Sequence, residues 1–363
     1  MPQFVCTTRK FHASVLANGK RVIVRSKSEL MTAAARIGDP GILNGYRRPV
    51  AELTWRKAMV DASLTEVNRG TANSPVERWA KSESFTRLDP SEKTSVSYFL
   101  GMLQSVVVAK ELLGVSDLVH VDAVLDLRGI PLAKGRPDLV GYKATPRWHS
   151  SPGRVLIEAK GRTNGSDADA LRRAKEQVKD SSSIARRLVG RDPLLIASMG
   201  YFTGRGEWRG IFEDPPADDE VTPLIEDDMT FQGLLNIASI RPVADAITEI
   251  REFAPSRVHV LNRSEMTVAT LPGEDWAVGM PTDLFDSYRD LMGPPDKAAP
   301  VDDRRATAWA EEITSRRELT PSLRERVTKF HEVDFPAIEL DGDGIFVANL
   351  GTDSALRRAV NSD

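Results

Sequence analysis

RPDLVGYKATPRWHSSPGRVLIEAKG, residues 136–161, contains two short apolar runs that are separated by a polar connection rich in turn-forming residues. The first run, Asp138–Tyr142, follows a proline, and the second is Arg154–Lys160. Two runs of this kind joined by a loop predict a β-hairpin. Because side chains alternate between the two faces of a strand, Glu158 and Lys160 are expected to share one face of the second strand.

The charged residues of this hairpin need partners, since burying them alone is costly. Taken by themselves, Glu158 and Lys160 are typical of a structural ion pair at the end of a strand. Asp138 favours a different interpretation, because it opens the partner strand at a position that can face Glu158. Proteins typically hold Mg²⁺ by one or two carboxylates, together with waters and substrate phosphates. The hairpin therefore predicts a Mg²⁺ or Mn²⁺ site with a lysine beside it.

The hairpin resembles the catalytic motif of the PD-(D/E)XK nuclease superfamily. Pro137-Asp138 matches the first half of that motif, and Glu158-Ala159-Lys160 matches the second half. The resemblance implies a mixed α/β (α+β) protein with a restriction-endonuclease-like αβββαβ core. In that core the Pro-Asp pair lies on the second strand and the Glu-x-Lys lies on the third. The predicted elements follow this order over roughly Leu88–Asp214.

Capping signals and apolar periodicity predict the elements around the hairpin. A helix is expected to begin after Asp89, which suits the N-cap, with Glu92 placed for a capping box. In chain order, we predict a helix over Pro90–Leu113, a strand over Leu118–Leu127, a helix over Asp167–Leu188 and a strand over Leu194–Phe202.

Glu92 has two interpretations. It is a capping glutamate if its carboxylate turns back to the start of the helix. It lies four residues before Val96, which belongs to the inward apolar stripe, and helix positions four apart share a face. An acidic residue of this helix joins the metal site in many members of the superfamily, so the resemblance makes Glu92 a candidate catalytic residue.

The resemblance also assigns roles to the residues of the motif. It implies that Asp138 and Glu158 hold one or two metal ions, with the backbone carbonyl of Ala159 as a further ligand. Lys160 is expected to position or help deprotonate the attacking water and to stabilise the developing charge. Some branches of the superfamily carry a Gln-x-x-x-Tyr signature in the following helix. Gln177 matches its glutamine, whereas the tyrosine position is Ser181.

Basic residues concentrate in and around the predicted helix that follows Lys160. A local excess of positive charge beside a metal site is the electrostatic footprint that is expected of a nucleic-acid-binding surface. The alternative is a solvated helix face without a ligand. The residues that we predict to contact nucleic acid are Arg162, Arg172, Arg173, Lys175 and Lys179.

Composition limits the class of protein. The chain has 363 residues, 41% of them hydrophobic and 28% charged, which is typical of a globular protein. Its net charge of −3 argues against a uniformly basic nucleic-acid binder, so a phosphate-binding surface must be local. The single cysteine, Cys6, excludes an internal disulfide and a cysteine-based zinc site and fits the cytoplasm. No apolar run is predicted to span a bilayer, and none resembles a secretory signal.

Three regions are predicted along the chain. Residues 1–75 form an N-terminal accessory region, in which Ala51–Asn68 is predicted as a charged helix that carries Trp55. Residues 76–214 form the nuclease-like core. Residues 215–363 form a C-terminal α/β accessory domain, and an acidic, proline-containing linker precedes it.

The sequence therefore predicts a Mg²⁺-dependent nuclease, an endonuclease that hydrolyses phosphodiester bonds in DNA. Bacterial defence or restriction is the expected setting, because the core lies inside long extensions, and a homodimer or a partner protein of a defence system is possible. Two alternatives stay open. One is a non-catalytic scaffold with the nuclease fold that binds nucleic acid or protein, and the other is a nuclease of DNA repair or recombination. Cleavage of RNA is a further variant of the enzymatic interpretation.

Overall fold

The fold was analysed in a computed structural model. It describes residues 1–38, 48–70, 75–131, 136–143, 153–180, 182–190, 193–215, 221–253, 257–261, 264–272, 275–293, 300–328 and 343–349. Within these ranges, the side chains of residues 253, 257–261, 264 and 318–328 are not described.

The described residues form strands and helices along the whole chain, so the protein is a mixed α/β protein. The strands are β1 (Gln3–Arg9), β2 (Gly19–Val24), β3 (Leu64–Asn68), β4 (Glu77–Lys81), β5 (Val115–His120), β6 (Leu139–Lys143), β7 (Arg154–Arg162), β8 (Leu194–Phe202), β9 (Trp208–Glu213), β10 (Arg257–Leu261), β11 (Ser264–Thr270), β12 (Trp276–Pro281) and β13 (Phe346–Asn349). The helices are α1 (Lys27–Ala35), α2 (Pro49–Ser63), α3 (Glu83–Arg87), α4 (Pro90–Leu113), α5 (Val121–Leu127), α6 (Ala168–Lys179), α7 (Ile184–Val189), α8 (Asp228–Phe253), α9 (Thr282–Met292) and α10 (Asp303–Thr328).

A nine-stranded mixed sheet forms the centre of the protein. Its order is β3-β4-β1-β9-β8-β7-β6-β5, and β2 pairs with β1 beside this path. Strands β5, β6 and β7 pair antiparallel, whereas β7 and β8 run parallel. Strands β10–β13 form a second, antiparallel sheet. The order helix, three strands, helix, strand that was predicted around the hairpin is thus present between α4 and β8, with short helices added. Membership of the nuclease superfamily stays a prediction.

Helix α4 has the bounds that the capping signals predict. Asp89 accepts hydrogen bonds from the backbone N–H groups of Ser91 and Glu92, and the capping box is complete. The helix ends at Gly114, whose φ of 71° is in the left-handed region that glycine adopts without a Cβ clash. Phe99, Leu103 and most of the residues after them are buried, because one side of α4 packs on β7 and β8.

The backbone of α4 approaches β7 unusually closely, directly behind the predicted site. A Cβ atom added to Gly161 would lie 1.7 Å from the carbonyl oxygen of Ser97. A Cβ atom added to Gly101 would lie 2.7 Å from the carbonyl oxygen of Lys160. The two glycines therefore allow the helix and the strand to pack backbone against backbone, which fixes α4 relative to Glu158 and Lys160.

The prediction of a strand over Leu118–Leu127 was wrong in its second half. The strand β5 ends at His120, and α5 begins at Val121. The His120 side chain caps this helix, since its Nδ1 accepts a hydrogen bond from the backbone N–H of Asp122. The run is apolar on all sides because both elements are buried, and a buried helix of two turns cannot be told from a strand by periodicity.

Two other predicted helices end earlier than expected. The predicted helix Ala51–Asn68 is α2 up to Ser63 and then strand β3, in which the chain continues as an extended edge of the sheet. The predicted helix Asp167–Leu188 is divided into α6 and α7. The strand predicted over Leu194–Phe202 was confirmed over its full length.

The predicted accessory regions are joined to the core by strands and by ion pairs. Strand β1 pairs with β9, so residues 1–75 extend the same sheet rather than forming another one. In the C-terminal region, the carboxylate of Asp343 lies 2.7 Å from Nη2 of Arg36 and 2.7 Å from Nε of Arg317. The division of the chain into these three regions stays a prediction.

Helix α4 also bears on the prediction that no segment could span a bilayer. By length and composition alone α4 is long and apolar enough to do so, a property that core helices can share. In the structure, 72% of its apolar window is buried inside the protein, as is usual for a core helix.

Candidate active site

The register of β6 and β7 brings the two motif carboxylates to the same point. Leu139 pairs with Ile157 in an antiparallel ladder, so Asp138, one residue before β6, is placed opposite Glu158. Both side chains are largely buried, with exposed fractions of 8% for Asp138 and 1% for Glu158. They are close enough that the charge of Asp138, after burial, raises the pKa of Glu158.

Asp138 is held by two donors. The Tyr98 hydroxyl donates a hydrogen bond to Oδ1 at 2.6 Å, and the backbone N–H of Ala159 donates one to Oδ2 at 2.8 Å. The second bond fixes the aspartate to β7 itself. Because the N–H and C=O of one residue in a strand point to the same side, the carbonyl of Ala159 is directed to the side where Asp138 lies. Burial, and the charge of Asp138 after it, raise the pKa of Tyr98, so its hydroxyl keeps the proton that it donates.

Glu158 and Lys160 are hydrogen-bonded to each other at the end of β7, and the contact becomes an ion pair when Glu158 loses its proton. The Lys160 ammonium donates a hydrogen bond to Oε1 of Glu158, and only a fifth or so of the lysine side chain is exposed. Burial, reinforced by the nearby charge of Asp138, raises the pKa of Glu158 to about 8, although Lys160 acts in the opposite direction. Glu158 is therefore protonated at neutral pH unless a further positive charge reaches it.

The remaining oxygen of Glu158 indicates where such a charge would fit. Among the described residues, no group donates a hydrogen bond to its Oε2, although that atom is buried. Two carboxyls in contact, one of them with an unpaired oxygen, form a donor set that suits a hard cation. Asp138, Glu158 and the Ala159 carbonyl thus fit the predicted Mg²⁺ or Mn²⁺. In the described part of the chain, no cluster of three or more His, Cys, Asp or Glu side chains could hold a metal.

Gln177 of α6 contacts Lys160, while its catalytic role stays a prediction. Its Oε1 lies 3.4 Å from Nζ of Lys160, and its Nε2 donates a hydrogen bond to the carbonyl of Arg136 at 2.9 Å. The Arg136 guanidinium in turn forms a bidentate ion pair with the buried Asp122. Gln177 therefore connects the lysine to the segment that leads into Asp138. Ser181, the position of the signature's tyrosine, lies outside the described residues.

Glu92 is not brought to the site. Its carboxylate accepts a hydrogen bond from the backbone N–H of Asp89 at 3.0 Å, and its side chain is exposed. The capping interpretation was therefore correct and the catalytic one was wrong. The physical reason is the position of Glu92 in the first turn, where its carboxylate satisfies a free N–H group of the helix end.

The predicted nucleic-acid-binding residues differ in how free their charges are. Lys175 forms a 2.6 Å ion pair with the buried Glu213, so its charge is used inside the protein. Arg172 pairs with Glu176 on the exposed face of α6, and Arg162 pairs with Asp167. Arg173 is exposed and Lys179 is half-buried, and both lie on the same helix. Of the residues predicted to bind nucleic acid, Lys175 is therefore the one whose charge is least available to a phosphate.

Sequence reasoning missed Tyr98, the residue through which α4 reaches the site. The signal was present: Tyr98 is the first aromatic residue of the helix, and it adjoins the inward-facing Phe99. It also missed the Arg136–Asp122 pair, whose members stand 14 residues apart and meet only in the fold. His120 is largely buried, and this burial lowers its pKa.

Comparisons with known proteins add no assignment to this geometry. No protein-family model matches the chain. No curated protein matches it, and no solved structure matches it.

Proposed function

We propose that the protein is a Mg²⁺- or Mn²⁺-dependent nuclease that hydrolyses phosphodiester bonds. The observation that carries this proposal is the meeting of Asp138 and Glu158 at adjacent strand ends, with the ammonium of Lys160 bound to the same carboxylate. A structural ion pair requires one acid and one base. The additional buried carboxyl, and the oxygen of Glu158 that accepts no hydrogen bond from a described residue, support a cation site.

Asp138, Glu158 and the Ala159 carbonyl would hold the metal, which lowers the pKa of a bound water and neutralises charge on a phosphate. The residues of the chain orient these groups. Tyr98 and the N–H of Ala159 fix both oxygens of Asp138, so the carboxylate has one orientation. Lys160 supplies a cation beside the phosphate, where it stabilises the negative charge that develops during hydrolysis. Gln177 limits the positions of the lysine side chain.

The experiment is cleavage of plasmid and single-stranded DNA with Mg²⁺ or Mn²⁺, comparing the wild type with Asp138→Ala and Lys160→Ala. We expect both variants to lose activity by roughly 10²–10³-fold, as for removal of a group that stabilises transition-state charge. Glu66→Gln and Lys20→Ala are matched controls, since both residues lie on strands far along the sheet from β6 and β7. Equal activity in all five proteins would refute the assignment of the site.

DNA as the substrate and bacterial defence as the setting are part of the same proposal. The strands that residues 1–75 add to the central sheet and the second sheet near the C-terminus support a role for these regions in substrate choice or partner docking. Location in the cytoplasm is supported by the one cysteine, Cys6, which is a free and buried thiol. The same assay with RNA separates a ribonuclease from a deoxyribonuclease, and a branched DNA substrate separates a repair or recombination nuclease from both.

A non-catalytic scaffold is the second candidate function. It is favoured by one observation: the hydrogen bonds within the site already occupy Asp138 and Lys160 without a metal. Isothermal titration with Mg²⁺ distinguishes the two functions. A scaffold with this site would bind no Mg²⁺ at millimolar concentration, whereas the nuclease would bind it and lose it in Asp138→Ala.

A further inference from the structure

One exposed aromatic side chain, Tyr98, contacts the candidate active site, and a second, Trp55, lies on α2, which packs against the same helix. Among the described residues, five large apolar side chains are exposed, and only Trp55 and Tyr98 of these are aromatic. The exposed fraction is 57% for Trp55 and 40% for Tyr98. Exposed apolar residues scattered singly need no explanation. Two aromatic residues at one site are a different case, because they offer ring faces to a ligand.

Trp55 and Asp138 each contact one of two neighbouring residues of α4. The indole of Trp55 packs against the ring of Phe99, with 6.1 Å between ring centroids and 55° between the planes. The next residue towards the N-terminus, Tyr98, donates its hydroxyl to Asp138. Tyr98 thus contacts the carboxylate, and Phe99, the buried residue that follows it in the chain, contacts α2. We call Trp55 and Tyr98 the aromatic shelf.

The sequence of α2 leaves the indole uncovered. Ala51 and Ala58 stand four residues before and three residues after Trp55, at positions that share its face of the helix. Both are exposed alanines, whereas the other two positions that share this face are Glu52, which pairs with Arg56, and the buried Met59. The adjacent Arg56 is turned inward, where it donates hydrogen bonds to the carbonyls of Ala34 and Gly38.

Helix α2 packs directly against α4, the helix that carries Tyr98. Helix α2 is anchored by buried contacts, whereas the face that carries Trp55 is open.

We propose that the aromatic shelf stacks an unpaired nucleobase of the substrate whose phosphate lies at Asp138 and Glu158. This inference rests on the proposed nuclease function and adds a substrate class to it. A base in a duplex has both faces covered by its neighbours, whereas a base in a single strand or an opened duplex offers a face to an aromatic ring. The substrate is therefore single-stranded or locally unpaired, with DNA and RNA sharing the chemistry of the base.

The test is a binding measurement that does not depend on cleavage. Fluorescence anisotropy with labelled 12-nucleotide dT and rU strands and a blunt DNA duplex, all in EDTA, compares the wild type with Trp55→Ala and Trp55→Phe. Stacking of one base on an aromatic side chain is worth about 1–3 kcal/mol, so Trp55→Ala is expected to weaken single-strand binding by about 5- to 150-fold. Trp55→Phe keeps a ring and should lose less. Duplex affinity should not change.

Val22→Ala is the matched control, since Val22 is an exposed apolar residue of β2, a strand that pairs with β1. It should leave every affinity unchanged. Unchanged single-strand affinity in Trp55→Ala would overturn the proposal. An equal loss for single strands and duplex, or the absence of single-strand binding by the wild type, would overturn it as well.

The outcomes also separate this inference from the nuclease proposal. Cleavage of DNA that depends on Asp138 and Lys160, together with normal single-strand binding by Trp55→Ala, would support the nuclease proposal and refute the stacking proposal. Absence of cleavage, together with a selective loss of single-strand affinity in Trp55→Ala, would refute the nuclease proposal and support base stacking on the aromatic shelf.

Discussion

The hydroxyl of Tyr98 lies 2.6 Å from Oδ1 of Asp138. Helix α4 therefore reaches the candidate active site through a neutral donor, while Glu92, its acidic residue of the first turn, caps the helix. A tyrosine at this place holds the aspartate in one orientation without adding a third carboxylate to the site. The charge that a metal would meet then comes from Asp138 and Glu158.

Removal of this hydroxyl tests its positioning role. We expect Tyr98→Phe to lower kcat of the proposed nuclease by roughly 10-fold with little change in KM, since a wrongly oriented carboxylate affects the transition state more than substrate binding. The free energy of unfolding should fall by about 1.5–3 kcal/mol, the range for a hydrogen bond to a charged group. Steady-state kinetics and urea denaturation measure the two effects. A fall in stability with unchanged kcat would leave Tyr98 a purely structural residue.

The pKa of Glu158 predicts how stability depends on pH without a divalent metal. Its value of about 8 lies above the ordinary value of 4.5, so the folded protein keeps this proton after the unfolded chain has released it. The stabilisation is complete below about pH 4.5 and is lost as the pH rises towards 8, at up to about 1.4 kcal/mol per pH unit. Glu158→Gln should remove this dependence.

Urea denaturation of the wild type and Glu158→Gln between pH 5 and 9 in EDTA measures the difference directly. The comparison between the two proteins is necessary because burial also raises the pKa of Asp214, to about 6, and this adds a dependence of the same sign. Parallel pH profiles for the two proteins would contradict the assignment of the raised pKa to Glu158.

Metal binding should release a proton from the same carboxyl. At pH 7 Glu158 is protonated and a metal requires its carboxylate, so binding of Mg²⁺ is expected to release about one proton. Its affinity should rise by up to about tenfold per pH unit below pH 8. Titration calorimetry in phosphate and in Tris, which differ in ionisation enthalpy, counts the proton. Asp138→Asn is the control for site-specific binding, and an identical heat in both buffers would contradict the prediction.

The close approach of α4 and β7 predicts a cost for any side chain at Gly161. Because an added Cβ would overlap the carbonyl of Ser97, Gly161→Ala must separate the helix from the strand, and we expect a loss of about 1–3 kcal/mol in the free energy of unfolding. Gly204→Ala is the matched control, since no heavy atom lies within 4 Å of its added Cβ. Thermal and urea denaturation measure both. Equal stability of the two variants would show that α4 can move away without cost.

The ion pairs of Asp343 predict that the C-terminal region is held to the rest of the protein by buried charge. Asp343→Ala leaves the largely buried guanidinium of Arg36 with fewer acceptors, and loss of one partner from a buried network costs about 3–5 kcal/mol. The exposed Asp303, which pairs with Arg128, is the control, and Asp303→Ala should cost less than about 1 kcal/mol. A small effect of Asp343→Ala on urea denaturation would contradict a structural role of the network.

The predictability of the fold differed between elements for physical reasons. Helix α4 and strand β8 were predicted to their exact ends, because capping residues and an apolar run between turn signals are local properties of the chain. The end of β5 could not be predicted in the same way. Its change into α5 depends on burial from all sides and on the cap that His120 supplies, and neither alters the apolar pattern.

The candidate site was predictable where it follows from strand geometry and not where it follows from packing. That Asp138 faces Glu158 was inferred from the hairpin, and the register of β6 and β7 agrees with this inference. The ion pair between Lys175 and Glu213 could not be inferred, since it joins a helix to a strand 38 residues further along the chain. Charge in a sequence shows which residues are ionised, but only the fold shows which of them are already paired.

The sequence by itself determined the hairpin, the order of the helices and strands around it, and the three charged residues that meet at its end. These depend on alternation, turns and caps, which act between residues that are near in the chain. Only the tertiary structure decided that Tyr98 rather than Glu92 reaches Asp138, and that Trp55 is exposed where α2 packs against α4. The reason is that contacts between distant elements depend on the close packing of α4 against β7, and no local pattern encodes that distance.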